Sequence, residues 1–122
     1  RMNNLQLSLK THWFEMTKTG VKKEDYRDLT PFWYARLCLY DGKKQPISFW
    51  EFAPRNSFSF DTNKVSFVEF GNNIMTLGYP KSTDTERILK IEHKGIEIVT
   101  GNPDWGAEKD KFYFVVKHGA VL

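Results

Sequence analysis

Between Gly20 and Arg27 the sequence places a glycine, two lysines, two acids, a tyrosine and an arginine within eight residues, Gly20-Val21-Lys22-Lys23-Glu24-Asp25-Tyr26-Arg27. Charge at this density is costly to bury unless the groups pair. The segment therefore either lies in water or lines a polar cleft, and that choice limits what the chain can fold into. The residues ahead of it bear on the choice. Leu5, Leu7 and Leu9 alternate with Gln6 and Ser8, which predicts a half-buried strand. Thr11 suits the N-cap of a short helix whose apolar side carries Trp13 and Phe14 with Thr17. Gly20 suits the position just past its end, where positive φ is wanted. The charged segment is then the next strand or its entry loop. As a strand it points Asp25 and Arg27 to one side and Tyr26 to the other. Lys22, just after the helix stop, can turn toward the same mouth.

A chain of 122 residues is expected to form a single domain spanning 1–122. Folding at this size removes roughly two-thirds of the unfolded chain's surface from water, enough for a core without metal or disulfide staples. Aromatic residues make up 16%, a high share that predicts a ring-rich core. Cys38 is the sole cysteine and sits between Leu37 and Leu39, so it reads as buried and inert, in a reducing, cytoplasmic setting. No run approaches the roughly 18 apolar residues of a membrane span. No apolar leader opens the sequence, and Arg1 ahead of Met2 reads as an added residue. The net charge is +3, with ten Lys/Arg against six Asp/Glu in residues 1–55 and eight against nine thereafter. A basic bias in the half that holds the charged segment fits an anionic partner.

Thr30-Pro31 marks a second helix start, expected to run to about Leu39 or Tyr40. Asp41-Gly42-Lys43-Lys44 reads as a turn, and Ile47 to Ala53 is readable as strand or helix alike. Arg55-Asn56-Ser57 and Asp61-Thr62-Asn63 read as loops. The second half reads as sheet: Lys64 to Phe70 closed by Gly71-Asn72-Asn73, a short strand from Ile74 to Tyr79, then Arg87 to Glu92, Ile96 to Thr100 and Lys111 to Lys117. His93-Lys94-Gly95 is a bulge or turn, and Gly101 to Gly106 is turn chemistry. One or two short helices near the N-terminus followed by short strands predict α+β, with the sheet curled into a small barrel.

The motif Gly20-x-Lys22-x-x-Asp25-x-Arg27 resembles the Gly-x-Lys-x-x-Glu-x-Arg signature of ASCH domains, members of the PUA-like superfamily. Leu7 to Lys10, Trp13-Phe14 and Pro31-Phe32-Trp33 are similar to the opening of small bacterial and phage ASCH proteins. Gly95-Ile96, Gly101-x-Pro103-x-Trp105-Gly106-Ala107-Glu108 and Tyr113 to Lys117 resemble their end. The resemblance implies a PUA-like β-barrel with a cleft beside the first helix, and RNA or a modified nucleoside or nucleotide as partner. Some small members remove the acyl group from N4-acetylcytidine, using a lysine at the motif position, a threonine three residues later and a distant glutamate. Lys22 fills the lysine position, but Asp25 stands at the threonine position and has no hydroxyl nucleophile. Asp25 is also one methylene shorter than the usual glutamate.

Two readings of the motif stand side by side. In one, Lys22, Asp25 and Arg27 form a surface ion-pair cluster, worth at most about 1 kcal/mol per exposed pair. In the other they line a ligand cleft, where Arg27 holds a phosphate or carbonyl, Lys22 neutralises negative charge and Asp25 orients Lys22 or accepts a proton. Trp13, Tyr26 and Trp33 serve as core or as base-stacking platforms. Trp105, in its Gly/Pro-rich loop, is a ligand-facing candidate, and Glu108 is a second carboxylate or a solvated loop acid. The function expected is an RNA- or nucleotide-binding module with a basic cleft. The alternative is an amidohydrolase of acylated nucleosides with Lys22, Asp25 and Glu108 as catalytic residues. His12, His93 and His118 lie far apart in sequence without ligands at metal spacing, and no Gly-rich phosphate loop is present, so neither metal nor cofactor is expected.

Overall fold

A computed structural model describes residues 2–56 and 59–122. They form two compact units, one from the chain up to Arg27 together with Glu69–Leu122, the other from Asp28–Val68. The chain is α+β, with three helices among the described residues and a curled, mixed five-stranded sheet.

The first unit holds that sheet. Its strands are β1 (Leu5–Leu9), β2 (Glu24–Arg27), β5 (Asn72–Leu77), β6 (Ile88–Thr100) and β7 (Phe112–Val121), in the order β1-β5-β6-β7-β2. Only β1 and β5 run parallel; the other neighbours are antiparallel. Alternation buries Leu5 and Leu7 of β1 and leaves Gln6 outside. The apolar interior gathers Leu5, Leu7, Phe14, Met75, Ile91, Phe114 and Val116. Strand β7, interior to the sheet, is buried on both faces over Tyr113–Val116: Tyr113 and Val115 pack with Ala107, Tyr26 and Val99, while Phe114 and Val116 take the opposite face.

Helix α1 (Thr11–Lys18) follows β1 directly. Its N-cap is Lys10, not Thr11: Lys10, just past β1, is still extended, Thr11 is already helical, and no side chain caps the turn. Gly20 ends it at φ 80, as its sequence position predicts.

Several strand boundaries differ from expectation. Gly71-Asn72-Asn73 does not close a strand: β5 begins at Asn72, where pairing with Glu92 and Ile91 overrides the turn-forming composition. The two strands expected between Arg87 and Thr100 are one strand, β6, with register shifts on either side of His93. Gly95, at φ 108, lets the chain pass the irregularity without breaking the ladder.

In the second unit, α2 (Pro31–Leu37) opens with the Thr30 hydroxyl accepting from the Trp33 amide. It ends before Leu39 because Cys38 turns extended to begin β3 (Cys38–Tyr40), which pairs with β4 (Val65–Phe67). The strand expected over Lys64–Phe70 is therefore shorter. Asp41 and Gly42 both hold positive φ in a tight reversal that pairs Tyr40 with Lys43. The ambiguous apolar run is helix α3 (Ile47–Asn56), so the loop read at Arg55-Asn56 is helical and its Ser57 lies outside the described residues, as does Arg1. Tyr34 stacks on Trp50 at 5.2 Å and Tyr40 on Phe60 at 5.0 Å. Cys38 is fully buried, and that burial pushes its thiol up to about 12.

Candidate functional site

Two local devices set Lys22 and Asp25 inside the first unit. Past Gly20 the chain folds back on α1, and the Lys22 amide donates to the Met16 carbonyl at 3.0 Å. This turns Lys22 inward, to 3% exposure. Strand β2 then pairs with β7 so that Asp25 lies opposite Val116 and Arg27 opposite Phe114. Directly opposed residues share a face, so Asp25 and Arg27 lie on the Phe114/Val116 face while Tyr26 takes the other.

Asp25 is the hub. Its Oδ2 accepts from Arg27 Nε at 2.6 Å, and Lys22 Nζ stands 3.6 Å from Oδ1. The aspartate side chain is 4% exposed, Lys22 3% and Arg27 18%. These are not solvated surface pairs. Lys22 Nζ also donates to the Glu24 carbonyl, and Arg27 Nη2 donates to the Ser8 carbonyl at 2.8 Å. Burial holds the Lys22 ammonium below its ordinary range; Asp25 opposes this and Arg27 adds to it.

The rings beside Lys22 are Trp13 and Tyr26, with centroids 6.0 and 5.5 Å from Nζ. Tyr26 is pinned at its hydroxyl, which donates to Glu24 Oε1 at 2.7 Å and accepts from the Asn102 amide at 2.9 Å. Burial raises its phenol above the ordinary range. Trp13 lies against Gly106, where a Cβ would come within 2.9 Å of the indole. Trp105 is half-buried in the short 3-10 turn Pro103–Trp105, whose start is fixed by Asn102 accepting from the Asp104 amide. The Glu108 carboxylate, 73% exposed, pairs with Lys111 at 3.2 Å. The structure thus joins Lys22, Asp25 and Arg27 with Trp13 and Tyr26. Glu108 is a solvated acid with its own lysine. Trp33 belongs to the second unit, where it packs under Arg36 at 5.1 Å.

Sequence reasoning missed a buried polar chain next to this group. Asn73, fully buried, donates through Nδ2 to the Lys117 carbonyl at 3.2 Å and to His118 Nδ1 at 2.8 Å. Its Oδ1 accepts from His93 Nδ1 at 2.7 Å. The carbonyl partner fixes the amide orientation, so His118 Nδ1 is an acceptor and the neutral ring carries its proton on Nε2. That Nε2 is buried without a partner among the described residues. Burial pulls His118 down to about 4; Asp25 opposes the shift, and Lys22 and His93 add to it. His93 and His118, distant in sequence, are opposite each other in the β6–β7 ladder. Among the described residues no three His, Cys, Asp or Glu gather as a metal site, and no helix is long and apolar enough to cross a membrane.

Compared with protein-family models, with curated proteins and with solved structures, the chain matches none.

Proposed function

We propose that the chain is a PUA-like, ASCH-type module that binds RNA or a nucleotide at the Lys22 cleft. The observation that carries this reading is a buried ammonium, Lys22, set against two aromatic rings, Trp13 and Tyr26, beside a pocket of about 340 Å³. A cation held next to ring faces suits a ligand with a phosphate and a planar base. Asp25 and Arg27 hold the geometry, Arg27 by reaching across to Ser8. Titration with short RNA and with cytidine nucleotides at low and high salt tests it. Affinity falls as salt rises, because phosphate contacts release counterions. Lys22→Ala removes most of the binding. Flat titrations at low salt with every nucleic acid and nucleotide would end this reading.

A second reading is favoured by the burial of Lys22 beside Asp25, which lowers the ammonium in the direction that suits a proton-transferring lysine. In it the site hydrolyses the exocyclic amide of an acylated cytidine: water adds to the acyl carbon, the C–N bond breaks, and carboxylate and amine leave. Incubation with N4-acetylcytidine, followed for release of cytidine, tests this. Turnover that disappears in Lys22→Ala supports it; no turnover at high protein concentration removes it.

A further inference from the structure

The pocket beside Lys22 has a composition of its own. Lys22, Lys23, His118 and Thr17 are among its lining residues, with Ile91 and Val121 supplying apolar wall. Among the described residues no aspartate or glutamate lines it. Lys22 and His118 are both more than nine-tenths buried. His118 brings a donor that the other described residues leave unanswered. Asn73 occupies Nδ1, which fixes the proton on Nε2, and that N–H finds no acceptor among the described residues. The carboxylate of Asp25 is engaged by Arg27 and Lys22. A buried donor left unmade costs its desolvation penalty, and His118 is among the residues lining the pocket, where an incoming acceptor would offset that cost.

We propose that this pocket seats an oxyanion, the phosphate group of a small phosphorylated ligand, with Lys22 and Lys23 supplying positive charge and the Nε2–H of His118 the directional donor. The proposal rests on the nucleotide-binding reading for the role of Lys22. It adds a residue and a subsite that the charged motif does not contain. A volume of about 340 Å³ holds a phosphate and part of the body that carries it, with the apolar wall against that body. Base stacking by Trp13 and Tyr26 and phosphate capture by His118 then become separable contributions. Their common point is Lys22.

The test uses the full chain labelled with 15N, with the imidazole region of the spectrum followed as inorganic phosphate, cytidine 5′-monophosphate or cytidine is added. The expected result is a His118 ring protonated on Nε2, whose N–H signal moves with phosphate and with the monophosphate but not with cytidine. In His118→Phe, phosphate and monophosphate bind about tenfold more weakly or worse, as loss of a hydrogen bond to a charged group requires. A His118 signal unmoved by phosphate overturns the proposal, and so does unchanged monophosphate affinity in a folded His118→Phe chain. If the variant does not fold, the spectra of the unaltered chain decide alone. Phosphate capture at His118 without binding of any nucleotide sustains the pocket and removes the nucleotide reading. Nucleotide binding with a silent His118 does the reverse.

Discussion

Arg27 and Ser8 stand on the two edge strands of the five-stranded sheet, and the Arg27 guanidinium donates to the Ser8 backbone carbonyl at 2.8 Å. Strand β2 is one edge and β1 the other, so a side chain makes the link that a further strand pairing would make in a closed barrel. The same guanidinium holds Asp25 through Nε at 2.6 Å. Arg27 therefore joins curvature of the sheet to placement of the charged cluster. Lysine cannot replace it, because a single ammonium lacks the planar fork that meets two acceptors at once.

Arg27→Ala should lower stability by about 2–3 kcal/mol, since it removes a largely buried charged partner of Asp25 and a bond between edge strands. Urea denaturation measures the loss. Amide exchange should rise first in Leu5–Leu9 and Glu24–Arg27, the two strands left unclasped. Arg27→Lys falls between the unaltered chain and Arg27→Ala. An unchanged urea midpoint in Arg27→Ala would show that the clasp contributes nothing.

Asp25 and Lys22 should respond unequally to removal. Asp25 is the shared partner of Lys22 and Arg27, so Asp25→Ala strands two cations together and costs about 3–5 kcal/mol. Lys22→Met leaves Asp25 with Arg27 and puts an apolar chain where an ammonium is desolvated, so stability is held or raised. Binding is lost in the same variant. A chain that folds as well or better while losing its ligand marks Lys22 as a residue kept for function. Equal destabilisation by the two substitutions would refute this asymmetry.

The convergence of Lys22, Asp25 and Arg27 was legible because its determinants are local. A glycine after a helix fixes where the chain turns, and alternation on a strand puts residues two apart on one face. The partners of these residues were not legible. Ser8 contributes a backbone carbonyl, which carries no side-chain signal, and Asn73 meets His118 across 45 positions. The Gly71-Asn72-Asn73 run has turn composition, and Asn72 and Asn73 are strand through pairing with β6 and, for Asn73, with Leu5 of β1. At His93-Lys94-Gly95 the irregularity was legible, but not that the strand runs on through it: pairing with β7 resumes at Ile96. Ile47 to Ala53 had no readable period, and nothing in the motif that Glu108 follows signals its exposed pairing with Lys111. The curled α+β sheet was readable from the order of helices and strands, whereas the division into two units was not.

Gly101→Ala should damage the site from a distance. A Cβ at Gly101 would stand 2.7 Å from both the Ala107 Cβ and Tyr26 Cε1. Tyr26 cannot swing aside freely, since its hydroxyl is bonded to Glu24 and to the Asn102 amide. Overpacking of this kind costs about 1–3 kcal/mol. The displaced ring would leave Lys22, so the predicted signature is a lower thermal midpoint together with weaker nucleotide binding. A variant with both unchanged would mean that the Gly101 backbone yields and the Tyr26 ring does not.

Acid should expose the buried histidine. His118 falls from 6.5 to about 4, chiefly through burial. Above 6.5 neither the folded nor the unfolded chain protonates this ring, and it contributes no pH dependence. Between 6.5 and about 4 the unfolded chain takes a proton that the folded chain refuses, so stability falls as pH falls through that window. The full difference is about 3 kcal/mol. Protonation of the folded ring is opposed by Asn73 as well, because a proton on Nδ1 would face the amide N–H that now donates to it. His93, also lowered by burial, acts in the same sense, so the contribution of His118 has to be taken as a difference. Denaturant titrations across the window should show the unaltered chain losing about 3 kcal/mol more than His118→Gln, which has no proton to gain there. Parallel curves for the two chains would mean that the folded ring accepts its proton at the ordinary pH, and that the Asn73–His118 bond does not hold the ring neutral.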